Sequence, residues 1–142
     1  LLVRKGAVEQ NILVHRSEDG SGIFWYGPYV WFPPGLFRAE FSLMADSILN
    51  RRVLEIDVAA DQGKAVLGRR EILGSDFVEM NRWQTFTIEF HLSEPKCLEF
   101  RGIEVVSGAI LRLGVVTVIQ LEPQTTLMNP TCQNATNTSR LN

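Results

Sequence analysis

At 142 residues, 45% of them hydrophobic and 21% charged, the chain has the size and apolar content of one domain with its own core. Fourteen Lys and Arg against sixteen Asp and Glu leave a formal charge of −2. Neither sign runs in long blocks, which excludes a nucleic-acid backbone or an anionic membrane surface as the partner. No apolar run approaches the roughly 20 residues of a membrane span, and Leu1-Leu2-Val3 followed by Arg4-Lys5 lacks the charge order of a signal peptide, so a soluble domain is expected. A start at Leu1 rather than Met fits a piece of a longer protein, with a job done for a neighbouring domain.

In chain order, period-2 alternation dominates and 3.6-residue periodicity is scarce. Strands are expected at 11–14, 22–26 and 29–32. The stretch "LFRAEFSL" then places Phe37, Ala39, Phe41 and Leu43 on one face and Arg38, Glu40 and Ser42 on the other, the pattern of a half-buried strand. "RVLEIDVAA" turns Leu54, Ile56 and Val58 inward and Glu55 and Asp57 outward. Residues 65–72 form another strand, a brief helical turn falls within 74–80, and "QTFTIEFHL" alternates Phe86, Ile88, Phe90 and Leu92 with polar neighbours. Strands at 97–105 and 110–121 complete the set. Turn chemistry separates them at Gly20-Ser21-Gly22, Pro34-Gly35, Asp61-Gln62-Gly63, Gly74-Ser75-Asp76 and Ser107-Gly108. About nine short strands with one wet face predict an all-β, two-layer antiparallel β-sandwich, jelly-roll-like. The sandwich occupies 1–122, and the polar segment 123–142 is a C-terminal extension that docks on it. Cys97 and Cys132 are expected as free thiols, since a domain of this length needs no staple. The extension also carries Asn134-Ala135-Thr136 and Asn137-Thr138-Ser139, which match the glycosylation pattern and matter only in a eukaryotic secretory pathway.

Nearly half of the aromatic residues fall in "IFWYGPYVWFPPG", residues 23–35. Pro28 cannot donate to a ladder, so "YGPY" must be a bulge, a corner or an edge. Beyond it Val30 and Phe32 have core phase, which turns Tyr29 and Trp31 outward. Before it Phe24 and Tyr26 share one face and Ile23 and Trp25 the other. A strand has one core face, so some of these rings must be exposed. Exposed Trp25, Tyr26, Tyr29 and Trp31 would make a platform on which the apolar face of a sugar stacks while polar neighbours fix its hydroxyls. His15, beside the loop "SEDGSG", could donate to such a ligand. Arg38 and Arg101 project from strands and could bind hydroxyls or a sugar carboxylate.

Glu55 and Asp57 lie two apart on one strand and project in parallel, which is wrong for glycoside hydrolysis, where the groups approach a bond from opposite sides. No strand–GxSxG–helix elbow, HExxH, Cys/His cluster or phosphate-cradling Gly loop occurs, so neither an enzyme nor a transition-metal site is expected. No cofactor is expected either, apart from a structural calcium that Asp19 and the "SEDGSG" carbonyls could hold.

The segments "YGPYVWFPPGLFRAEFSL", "VLEIDVAADQGKAVLGRREILGSDF", "RWQTFTIEFHL" and "LEFRGIEVVSGAILRLGVVTV" resemble, over residues 11–121, the β-sandwich carbohydrate-binding modules attached to bacterial glycosyltransferases and related surface-polysaccharide enzymes. More broadly they resemble galactose-binding-like jelly rolls. The resemblance rests on the Gly-Pro-Tyr corner, the Pro-Pro-Gly turn before a long strand, the Trp opening an alternating strand, and the closing "LRL…V" strand. It implies a non-catalytic domain that recognises a glycan, an attached glycosyltransferase-type domain as partner, and a location in the bacterial cytoplasm. The residues alone leave the compartment open. Two positions depart from the pattern: Trp31 stands where a smaller or polar residue is expected, and Gly114 where Asp is common. The alternative is a structural or protein-interaction sandwich whose exposed aromatics make an oligomer or interdomain contact.

Overall fold

The computed structural model describes residues 1–47, 49–123 and 132. Among them the chain forms eleven strands: β1 (Leu2–Val3), β2 (Ala7–Glu9), β3 (Ile12–His15), β4 (Trp25–Tyr26), β5 (Val30–Phe32), β6 (Gly35–Ala45), β7 (Arg52–Ala60), β8 (Ala65–Leu73), β9 (Gln84–Leu92), β10 (Lys96–Ile103) and β11 (Leu111–Pro123). Two short 3-10 turns, Asp61–Gly63 and Gly74–Asp76, are the helical elements among the described residues, the second where a helical turn is expected. The first sheet runs β1-β4-β10-β7-β8, with β5 also on β10; the second runs β2-β3-β11-β6-β9. All named pairings are antiparallel. The fold is therefore the expected two-layer, jelly-roll-like β-sandwich.

The alternating residues build the core as their phase requires. Phe37, Ala39, Phe41 and Leu43 of β6, Leu54, Ile56 and Val58 of β7, and Phe86, Ile88, Phe90 and Leu92 of β9 are all buried. Rings from the two sheets meet across the interior: Trp25 with Phe41 at 6.3 Å between centroids, and Phe90 with Phe100 at 6.3 Å. Within the second sheet Phe37 stacks on Phe90 at 5.4 Å. Such rings each bury roughly 150–250 Å² and carry much of the hydrophobic stabilisation.

The aromatic stretch forms one interrupted edge. β4 pairs with β10 through Trp25 and Gly102, and β5 pairs with the same side of β10 through Val30–Leu98, Trp31–Cys97 and Phe32–Lys96. Between them the Gly27-Pro28 peptide is cis, and the chain turns a corner there. Pro28 thus sits at an edge, where its missing N–H leaves no ladder bond unmade. β1 and β2 escape the sequence reading because two- and three-residue strands exist only through their partners.

Cys97 and Cys132 are joined in a disulfide, not free thiols, tying the extension to β10. Cys97 lies on the outward phase of β10, where its sulfur is bonded to that of Cys132. Apart from Pro123, which ends β11, and Cys132, the extension lies outside the described residues, as do both glycosylation-pattern sites.

Candidate functional site

The outer face of the first sheet, along β5, β10 and β7, gathers the polar and aromatic groups with most chemical potential. On β10, Leu98, Phe100 and Gly102 point into the core, so Cys97, Glu99 and Arg101 line the outside. Register places Arg101 opposite Asp57 of β7 and Cys97 opposite Trp31 of β5, and extends to Tyr29 beside Glu99. Tyr26 falls on the outward phase of β4, with the Arg4 guanidinium 5.4 Å from its ring centre.

Charge is buried on this face, which a half-wet strand pattern does not foretell. Asp57 is fully buried and Glu99 is 3% exposed. Arg101 donates from Nε to Asp57 Oδ1 at 2.9 Å and from Nη2 to Asp57 Oδ2 at 2.6 Å, a bidentate pair. That pairing, chiefly through the hydrogen bonds, raises the Arg101 pKa and keeps the guanidinium charged. The Asp61–Gly63 turn covers the pair: a Cβ on Gly63 would stand 2.8 Å from Arg101 Nη1, and φ there is +89°, so the position requires glycine.

Glu99 accepts from the Gly27 N–H at 3.2 Å and from the Tyr29 hydroxyl. Burial nevertheless pushes its carboxyl above the ordinary range, outweighing Arg101, Gly27 and Tyr29, which favour the charged form; Asp57 adds to the rise. The Tyr29 phenol is raised as well, by burial first and by Glu99 second. A buried carboxyl with a displaced pKa, flanked by Tyr and Arg, marks a candidate functional site. Chemically the arrangement offers the partly exposed Arg101 guanidinium as a donor beside two phenol rings and an indole.

The other sequence-predicted residues divide. Tyr26, Tyr29, Trp31 and Arg101 share this face. Trp25 does not: it is fully buried in the core with Nε1 donating to Phe100 O at 2.9 Å, because the corner at Pro28 resolves the ambiguous phase in favour of Trp25 inward. His15 is fully buried too, with Nδ1 2.8 Å from Ala109 O and Nε2 2.7 Å from Gly20 O, so it ties two loops together and presents nothing to a ligand. Arg38 lies on the outer face of the second sheet, 3.4 Å from Glu40, and cannot act with Arg101 on one ligand. Asp19 Oδ2 accepts from the Arg16 N–H at 2.7 Å and closes its own turn. Among the described residues no group of three or more His, Cys, Asp or Glu is placed to hold a metal ion, and no helix is long and apolar enough to cross a membrane.

Asp57 and Glu99 are the members that a reading of single strands misses as ligand-site residues. Their signal is the outward carboxylate two positions before Arg101 in "LEFR", together with the outward Asp in "EIDVAA". Only strand pairing brings the two together. At Gly114, the other departure from the resembled pattern, the Trp83 indole lies over the glycine on the second sheet, 3.2 Å from where a Cβ would stand.

No protein-family model matches the sequence, and no curated protein matches it. Solved structures match in fold. An arabinose-bound GH51 α-L-arabinofuranosidase, MgGH51, has a TM-score of 0.51 at 14% identity, over 75% of this chain and 19% of that one, so the chain corresponds to about a fifth of that enzyme. The C-terminal CBM6 of LamC, a marine laminarinase from Zobellia galactanivorans, has a TM-score of 0.48 at 14% identity, covering 81% of this chain and 77% of that one. The C-terminal domain of EclA, described as a sugar-binding protein, has a TM-score of 0.49 at 14% identity, covering 84% and 83%. At these identities the likeness concerns the sandwich fold.

Proposed function

We propose that this domain is a non-catalytic glycan-binding module whose ligand lies along the outer face of the first sheet. The observation that carries this reading is one continuous strip in which Tyr26, Tyr29 and Trp31 stand beside Glu99, Arg101 and Asp57. Rings present apolar platforms, and the Arg101 guanidinium, partly exposed and held in place by the buried Asp57, can donate to hydroxyls. Arg101 is already neutralised by Asp57, which favours a neutral sugar over an acidic one. Both oxygens of Asp57 are engaged by Arg101, and Glu55 lies 3.6 Å from Arg69, which supports binding without turnover. Sugar-binding descriptions of the similar folds agree with this reading. The attached partner is a polysaccharide-active enzyme of the glycosyltransferase kind. The disulfide favours an oxidising compartment over the bacterial cytoplasm, where thiols are kept reduced.

The test is a glycan array on the 142-residue chain, followed by titration of Tyr29→Ala. Binding to at least one glycan class, weakened about tenfold by that change, is expected, since a stacked ring contributes on the order of 1 kcal/mol. A chain that binds no glycan and changes oligomeric state in light scattering on Tyr29→Ala would establish the interaction-module reading instead.

A further inference from the structure

Among the described residues, β5 pairs only with β10, and beyond Leu113 β11 pairs only with β6, so one edge of each strand has no ladder partner there. A solvent-open cavity of about 390 Å³ lies between the two edges, lined by Phe32 and Phe37 together with Val118 and Gln120 of β11. Register shifts between Leu113 and Val116 and between Gln120 and Glu122 leave Val116–Gln120 as the regular run of the free edge. From Leu113 to Leu121 there is no Lys, Arg, Asp, Glu or Pro, the residues that edge strands use to discourage pairing. Val115, Val116, Thr117, Val118 and Ile119 are instead all β-branched, and of these Val115 and Thr117 are exposed. An uncharged strand of high β-propensity with its N–H and C=O groups turned to water is a template for another strand.

We propose that a second copy of the chain docks on this edge, the two β11 strands pairing antiparallel about a two-fold axis near Val118. The edge calls for an uncharged, β-branched strand, and β11 is itself one, so two copies meet with no like charges opposed. Antiparallel pairing of a strand with its own copy uses the same residues on both sides and closes the assembly at two. With Val118 at the axis, Val116 stands opposite Gln120 of the second copy and Thr117 opposite its Ile119. Val116, Val118 and Gln120 are ladder partners of Phe41, Ala39 and Phe37 and share their inward face. The pairing keeps that phase, so the same three residues of the second copy continue the inward row across the mouth of the cavity, beside Phe32 and Phe37. β3 limits the overlap: it holds this side of β11 at Leu111–Leu113, and the incoming strand fits from Gly114 onward. So short a ladder is small beside a standard interface of roughly 1,200–2,000 Å², and the association is accordingly weak. It does not depend on the glycan reading, whose Glu99, Arg101 and Asp57 lie on β10 and β7 of the other sheet.

Sedimentation equilibrium of the 142-residue chain between about 10 μM and about 1 mM tests this, with amide hydrogen exchange at both ends of the range. The average mass should rise from one chain towards two, and the added protection should fall on β11 between Gly114 and Leu121. Thr117→Lys puts an ammonium group on an exposed position of the edge, so it should leave the melting temperature nearly unchanged and weaken association at least about tenfold. Thr117→Val stays uncharged and β-branched and should associate at least as tightly as the parent. A chain that stays monomeric to the top of the range, an association that Thr117→Lys leaves intact, or added protection centred away from β11 overturns the inference. Should Thr117→Lys fail to fold, the mass of the parent chain and the place of its added protection decide the matter alone.

Discussion

On the outside of the second sheet, the central strand β6 keeps Leu36, Arg38, Glu40, Ser42 and Met44 half-exposed, in strict alternation with buried neighbours. On the outside of the first sheet the same alternation fails: Asp57, Ala59 and Glu99 are buried although they point away from the core. The difference lies in what covers each face. Tyr29 and the Asp61–Gly63 turn lie over β10 and β7, whereas the side chains of Arg38 and Glu40 on β6 stay about a third exposed. An ion pair on the covered face loses its water and must be satisfied by geometry. One on the open face, such as Arg38 with Glu40, keeps part of both side chains in water, so losing the partner costs less.

Removing one partner of each pair should break or uphold that comparison. The largest effect is expected for Asp57→Ala, which leaves the Arg101 guanidinium uncompensated and should cost about 3–5 kcal/mol in denaturant unfolding. Replacing the disulfide through Cys97→Ala with Cys132→Ala should cost about 2–4 kcal/mol, the usual value for closing a loop of tens of residues, and equal stability with and without reductant would argue against the bridge. Tyr29→Phe removes a donor to Glu99 and should cost about 1–1.5 kcal/mol. On the open face, Arg38→Ala or Glu40→Ala should change stability by no more than about 0–1 kcal/mol. If the changes on the two faces cost the same, the covering turn does not desolvate Asp57.

The buried Glu99 makes the stability of the covered face depend on pH. A carboxyl whose pKa is higher in the folded than in the unfolded state adds stability that is fully present below the unfolded pKa and lost as pH rises through the folded one. Glu99→Gln has no charge to bury. It should therefore gain stability relative to the parent as pH rises from the unfolded carboxylate range through the folded pKa of Glu99, and the difference should vanish at acid pH. Unfolding curves of both chains across that range check the sign; a difference independent of pH would place Glu99 in water.

Much of the fold was legible because alternation is a local property. The phase of Phe37 to Leu43, of Leu54 to Val58 and of Phe86 to Leu92 assigns core membership without knowledge of any partner, and it separates Val30 and Phe32 from Tyr29 and Trp31. The candidate site was legible only in pieces. Tyr26, Tyr29, Trp31 and Arg101 were found from phase and residue type, while His15 and Trp25 were misassigned because a polar or amphipathic ring satisfies its N–H as well inside a core as at a ligand.

Local alternation and turn chemistry are enough to specify a sandwich, the inward residues of each long strand and a break around Pro28. Tertiary structure decided that Arg38 and Arg101 sit on opposite outer faces, that Asp57 meets Arg101, and that Cys132 reaches Cys97. The physical reason is range. A period of two records only which side of its own strand a residue occupies, whereas the sheet a strand joins, its register and what lies over its outer face depend on partners many residues away.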